Sequence, residues 1–267
     1  MQHPSSEPHT ARATMIGALA PIAWAMMALL IVLVQPIPPL QLLSLMMTTG
    51  AVVALMLAQF RRVSLRVLLG QEKGFYLVGL LGLFGFFTFQ FLAFQNAPPM
   101  EVFILVNLWP IALLLLTAFV YRHLPNRWHI LFSILGLLGV LVVAYLKGFR
   151  GFTPNAEFGL FCGFVAAFMW AVYSILNRRY RAVPVDAIFG VFVLVGIVAG
   201  MGHFIFEDTI ALSSRQWGLV ILMGSVPEGL ALYAWSHGVQ HGDLRTLSTV
   251  SYLSPILGAL LLALLEI

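Results

Sequence analysis

The sequence predicts an all-α polytopic membrane protein of two inverted five-helix repeats, with nine transmembrane helices in 267 residues and a tenth missing. Three observations lead there. Hydrophobic residues make up 61% of the chain and charged residues 9%, with a mean hydropathy of +0.97. A water-soluble chain of this length has no interior large enough for that apolar share. The apolar runs are continuous over about 20 residues, the length that crosses a bilayer as a helix, and do not alternate as barrel strands do. The basic residues fall in short connections, mostly on one side.

Residues 1–13 are polar, with two Pro, two Ser and two His, and read as a short tail. The first apolar run, 14–34, has no small-residue cleavage site and reads as a first span, not a removable signal. Further spans are expected at 40–60, 75–95, 101–121, 129–147, 158–177, 186–206, 217–237 and 244–265. Breakers such as 35–39 and 96–99 separate them. With the N-terminus and every second connection on one side, that side holds Arg12, Arg61, Arg62, Arg66, Lys73, Arg122 and Arg127. It also holds Arg178, Arg179, Arg181 and Arg245, eleven of the fourteen Lys and Arg; Lys147, Arg150 and Arg215 lie opposite. The positive-inside rule puts the N-terminus in the cytoplasm, and orientation explains the net charge of +4 without nucleic acid. The lone Cys162 excludes an intrachain disulfide.

The fourth span is conspicuous. Residues 101–110 read E-V-F-I-L-V-N-L-W-P, an apolar run carrying Glu101, Asn107, Trp109 and Pro110. Pro110 has no N–H, so the Val106 carbonyl loses its helical partner. In lipid such freed backbone is tolerated only against protein or a water-filled cavity. On a regular helix Asn107 and Trp109 stand about 200° apart, so both face one cavity only if the helix is distorted before Pro110.

The halves of the chain correspond. Gly17 and Trp24 are spaced like Gly163 and Trp170 at an offset of 146, while Gly79 matches Gly224, and Leu108 and Pro110 match Leu253 and Pro255, at 145. This internal duplication divides the chain into 14–147, with five spans, and 156–267, with four. Five spans per unit is an odd number, so the second copy lies inverted, an architecture of secondary transporters with the solute site near the midplane. The counterpart of 129–147 would be a tenth span, which is absent: either the chain is truncated or the second repeat has lost its last helix.

Trp24, Trp109 and Trp170 lie near mid-span, where an indole N–H meets neither headgroups nor bulk water; they either pack or wall a cavity. Trp128 and Trp217, at span ends, belong to an aromatic belt, and Trp235, near a cytoplasmic end, is assigned there too. In the third span Gly79, Gly82, Leu83, Phe86, Gln90 and Ala93 share a face. Its glycines suit close helix packing, whereas the Gln90 amide must face protein or water. The sixth span offers Gly163, Ala167, Trp170, Ser174 and Asn177 with Tyr173 adjacent; the ninth offers Ser248, Ser251, Tyr252 and Pro255. Such hydroxyls often bond only their own i−4 carbonyl. Glu228 follows Pro227 near the middle of its span. A carboxylate there costs a few kcal/mol and so faces the interior, either as a proton- or cation-responsive site or bonded to a neighbouring helix. His237, His241 and Asp243 have a metal-like spacing. No third histidine joins them on that side, so solvated interfacial side chains are the simpler reading. The sequence has no Walker loop and no G-x-S-x-G.

On Gly17…Trp24, Pro110, Gly163…Trp170, Ser254-Pro255 and Glu266, the chain resembles the drug/metabolite transporter superfamily in its ten-helix EamA-type form. The run Glu101…Val106-Asn107-Leu108-Trp109-Pro110 is similar to that of the YddG-type aromatic amino-acid exporters within it. The resemblance implies EamA-like repeats at 14–147 and 156–267 and a central cavity lined by spans one, three, four, six, eight and nine. By position it implies Trp24, Phe86, Gln90, Asn107, Trp109 and Trp170 in that cavity. Tyr173, Glu228 and Tyr252 complete the expected substrate-binding set, and Pro110 and Pro255 break the helices. The expectation is a membrane transporter, not an enzyme, exporting small amphipathic solutes, foremost aromatic amino acids, across the inner membrane by alternating access. Its partners are that solute and the lipid bilayer; no cofactor or metal is expected, and a monomer is compatible. The alternatives are an exporter of other metabolites or cationic drugs, an intramembrane metal-dependent enzyme using His237, His241 and Glu228, and a non-transporting scaffold.

Overall fold

The computed structural model describes residues 7–122, 125–146 and 156–264, and among them every regular element is a helix. In chain order these are α1 (His9–Leu33), α2 (Pro39–Phe60), α3 (Lys73–Asn96), α4 (Glu101–Tyr121) and α5 (Arg127–Leu146). After residue 155 come α6 (Glu157–Arg179), α7 (Val185–Phe206), α8 (Ser214–His241) and α9, residues 244–264, in two pieces. Seven of these, α1–α4 and α6–α8, are long and apolar enough to cross a membrane. Large apolar side chains such as Phe60, Phe119 and Phe204 point away from the protein, as a lipid-facing surface requires. Lys147, Arg150, Glu266 and the far edges of the expected spans 129–147 and 244–265 lie outside the described residues.

Local chemistry sets the helix starts. α2 opens on Pro39, whose missing N–H would be unpaired there anyway, and the Glu207 carboxylate accepts the Leu40 and Gln41 amides at 2.9–3.1 Å. α8 opens with a capping box between Ser213 and Gln216. Asp243 caps α9 by accepting from the Arg245 and Thr246 amides. One boundary differs from expectation: the chain is already helical from Glu7, inside the stretch read as a tail. The packing explains it, since Thr14 Oγ accepts the Asp243 amide at 2.9 Å and Gly17 crosses Gly238 of α8 in near backbone contact.

Glycines draw the other helices together. A Cβ on Gly82 would stand 2.7 Å from Tyr173 Cβ, so α3 and α6 approach closely there; α2 and α7 lie along each other, with Ser44 donating to the Gly196 carbonyl at 2.9 Å. The glycines of the third-span face thus serve packing. α2, α6 and α7 run without a break, whereas α1, α3, α4, α8 and α9 are each interrupted. α3 carries a π turn at Leu80–Phe84 and α8 a longer one at Gly224–Leu230. The interrupted helices surround the site.

Candidate functional site

The α4 interruption falls where the sequence places it. One half-helix, Pro99–Val106, ends before Asn107, and the next begins at Trp109 with Pro110 in its first turn. Asn107 bonds back to its own helix: its backbone N–H and its Nδ2 both donate to the Phe103 carbonyl, at 3.1 and 2.8 Å. The break cancels the 200° separation, and Asn107 and Trp109 line one cavity. α9 repeats the device. Leu244–Val250 ends before Ser251, Leu253–Leu264 carries the buried Pro255 in its first turn, and the adjacent Ser254 reaches the same cavity.

In α8 the π turn contains Pro227. The Ala231 amide donates to the carbonyls of Val226 and Glu228 and passes over that of Pro227. The Pro227 carbonyl instead accepts the Trp24 Nε1–H at 2.7 Å. A turn that widens a helix thus provides the partner an indole needs inside an apolar bundle.

Trp24, Trp109, Trp170 and Trp235 form one cluster, with all six pairs of ring centroids between 5.1 and 6.3 Å. Most pairs are edge-to-face, the favourable arrangement, worth about 0.5–1.5 kcal/mol each beyond area burial. Trp235 corrects the belt assignment: it is fully buried, and its Nε1–H donates to Ser174 Oγ at 3.2 Å. Asn177, Ser236 and Gln240 continue this polar seam between α6 and α8, with Asn177 donating to Ser236 and Gln240 to Asn177. Trp128 and Trp217 are half exposed at helix starts, as a belt requires.

The cluster walls a small cavity of about 80 Å³. Three indoles line it, those of Trp24, Trp109 and Trp170, together with Phe86, Gln90, Asn107 and Glu228. α1, α3, α4, α6, α8 and α9 all contribute. Two lining side chains carry buried polar atoms with no hydrogen-bond partner among the described residues, Gln90 Oε1 and Trp170 Nε1. Glu228 is 2% exposed, and no hydrogen bond or ion pair to its carboxyl is found among the described residues. An apolar wall with a few convergent polar groups left unpaired is built for an amphipathic guest.

Two expected residues stand elsewhere. Tyr173 sits behind Trp170, centroids 5.6 Å apart, and faces a smaller pocket with Asn177 and Ser236. Tyr252 is buried in the α9 break against Gly136 of α5. Ser248 and Ser251 bond their own i−4 carbonyls at 2.6 Å. His237 and His241 lie in a separate depression beside Arg61, Asp186 and Tyr233, away from Glu228, and Asp243 is engaged as a helix cap. Among the described residues no group of three His, Cys, Asp or Glu is placed to hold a metal. Sequence reasoning passed over Met27, Ile31, Phe87, Phe94 and Phe103, which also line the cavity. Phe87 and Phe94, one and four residues beyond the Phe86–Gln90 pair, extend the face already legible on α3.

The model of the EamA-like transporter family matches the chain twice, over residues 11–145 and 157–266. Over 252 residues the chain is 33% identical to the aromatic amino acid exporter YddG of Ancylobacter novellus, covering 94% of this chain and 87% of that protein. The aromatic amino acid exporter YddG of Escherichia coli is 26% identical over 174 residues, 62% of this chain and 58% of that one. A protein of known crystal structure superimposes with a TM-score of 0.88 at 31% identity, covering 96% of this chain and 89% of that chain.

Proposed function

The chain belongs to the EamA-like transporter family, and on that premise we propose that it exports aromatic amino acids from the cytoplasm across the inner membrane as a secondary transporter. Its homologues are exporters, so it stands among transporters rather than enzymes. One observation carries the substrate reading: three indoles of the cluster wall a cavity in which Trp170 Nε1–H and Gln90 Oε1 lack partners among the described residues. A flat aromatic side chain gains edge-to-face contacts there, and its polar end meets the unpaired groups. Trp24, Phe86, Gln90, Asn107, Trp109, Trp170 and Glu228 bind the solute; Tyr173 supports Trp170 from behind, and Tyr252 holds the α9 break.

In this reading α5 and α9 also span, giving nine helices with the N-terminus in the cytoplasm, as the basic residues favour. The units 14–147 and 156–267 are inverted repeats that rock about the cavity, and Pro110 and Pro255 supply the irregular backbone at which α4 and α9 bend. Counterflow tests the proposal. Liposomes containing the purified full-length protein and loaded with unlabelled tryptophan should accumulate labelled tryptophan above protein-free vesicles. Phenylalanine and tyrosine should compete, and arginine and glutamate should not. Accumulation equal to that of protein-free vesicles refutes it.

A further inference from the structure

We propose that the cavity holds its ligand by the amine rather than the carboxylate, with Glu228 as the counter-ion, so that aromatic monoamines lacking a carboxylate are a further substrate class. The inference rests on the reading of the cavity as an aromatic amino-acid site.

An amino acid carries both an ammonium and a carboxylate, and a dry site must compensate each. The cavity is poorly equipped for the anion. None of its described lining residues is Lys, Arg or His. Half-helix starts are the other usual seat for an anion, and those of α4 and α9 begin at Trp109 and Leu253. Both have a proline in the first turn, which offers no N–H. The amides of Leu108, Ala112, Ser254 and Ile256 already donate to backbone carbonyls. One of the two N–H donors of the Asn107 amide is held by the Phe103 carbonyl. The donors that remain on the described lining side chains, among them the Trp170 Nε1–H, the Gln90 amide and the Ser254 hydroxyl, are all neutral.

For a cation the same walls are well furnished. Glu228 supplies the one carboxylate of the described lining, buried and without a partner found among the described residues. Gln90 Oε1 is a second unpaired acceptor, 8% exposed as a residue. The indole faces attract a cation through their quadrupoles. A lone carboxylate at this depth is costly, and a ligand ammonium removes that cost by pairing with it. A ligand carboxylate brings a second negative charge into the same cavity. Removing it should therefore cost the ligand little, and removing the amine should cost it most of its affinity.

The experiment uses proteoliposomes of the full chain and a series of ligands sharing one ring. Tryptamine should inhibit tryptophan counterflow within about threefold of tryptophan itself and should be taken up in its own right. Indole-3-propionate should be weaker by about 30-fold or more, the scale of a buried charge left unpaired. Glu228→Gln keeps the side-chain volume and should collapse the tryptamine-to-indolepropionate ratio toward one. If that variant does not fold, the wild-type series decides alone. Indolepropionate competing as well as tryptophan overturns the inference, whether or not tryptamine also competes. If tryptophan itself is not carried, the aromatic amino-acid reading fails. Calorimetric titration of the detergent-solubilised protein with tryptamine and with indolepropionate then decides the inference separately: preference for the amine upholds it, and equal or reversed affinity overturns it.

Discussion

Gly17 and Gly163 look equivalent in sequence, each seven residues before a tryptophan of the cluster, yet they should respond oppositely to one added methyl group. α1 and α8 cross at Gly17 and Gly238, where a Cβ on Gly17 would stand 2.8 Å from Gly238 Cα and one on Gly238 would stand 2.6 Å from Gly17 Cα. Carbon atoms in contact sit about 3.5–4.0 Å apart, so Gly238→Ala must push the helices apart by about 1 Å. Both close neighbours are backbone and cannot swing aside, so the cost falls in the overpacking range of about 1–3 kcal/mol. The displacement lies one turn from Trp235 and two turns from Trp24, whose ring centroids are 5.3 Å apart. At Gly163 the nearest atom to an added Cβ is Leu105 Cβ at 3.4 Å, an ordinary contact. Gly163→Ala removes a flexible residue from mid-helix and should be neutral or stabilising by up to about 1 kcal/mol. The assay is the midpoint of thermal unfolding in detergent beside tryptophan counterflow. Gly238→Ala should lower both; Gly163→Ala should lower neither. Equal behaviour of the two variants refutes the crossing as the element that holds the cluster together.

Other substitutions probe the site itself. Trp24→Phe retains an aromatic ring but leaves the Pro227 carbonyl without its indole donor, and should cost about 1–3 kcal/mol, read as a lowered unfolding midpoint. Trp170→Phe removes an N–H that has no partner among the described residues. The unfolding midpoint should hold while tryptophan affinity, measured by competition, falls about 3–10-fold, the value of one neutral hydrogen bond. Pro110→Ala returns an N–H to the Val106 carbonyl and removes a bias of about 3 kcal/mol against regular helix. Trp109 then turns away from Asn107, and counterflow should fall at least about tenfold without loss of folded protein.

Depth and spacing along one helix are local properties, and they were legible. The second span, expected at 40–60, is Pro39–Phe60, and the distortion between Asn107 and Trp109 followed from Pro110 alone. Contacts between distant residues were not. Trp235 reads as a belt residue by depth, and what buries it is the close approach of α1 at Gly17 together with Ser174 on α6. Trp24 finds its partner 203 residues away, on a carbonyl that exists as a free acceptor only because α8 widens at Pro227. Tyr173 shows the converse. It shares a helix face with Trp170 and would qualify for the cavity by spacing, but Gly82 gives it room in the α3–α6 interface and the ring settles there. Each of these outcomes turns on a glycine or proline in a neighbouring helix, not on the residue in question. A polar or aromatic residue inside an apolar span therefore shows that something must receive it, and the interruptions of the facing helix determine whether that is protein or cavity.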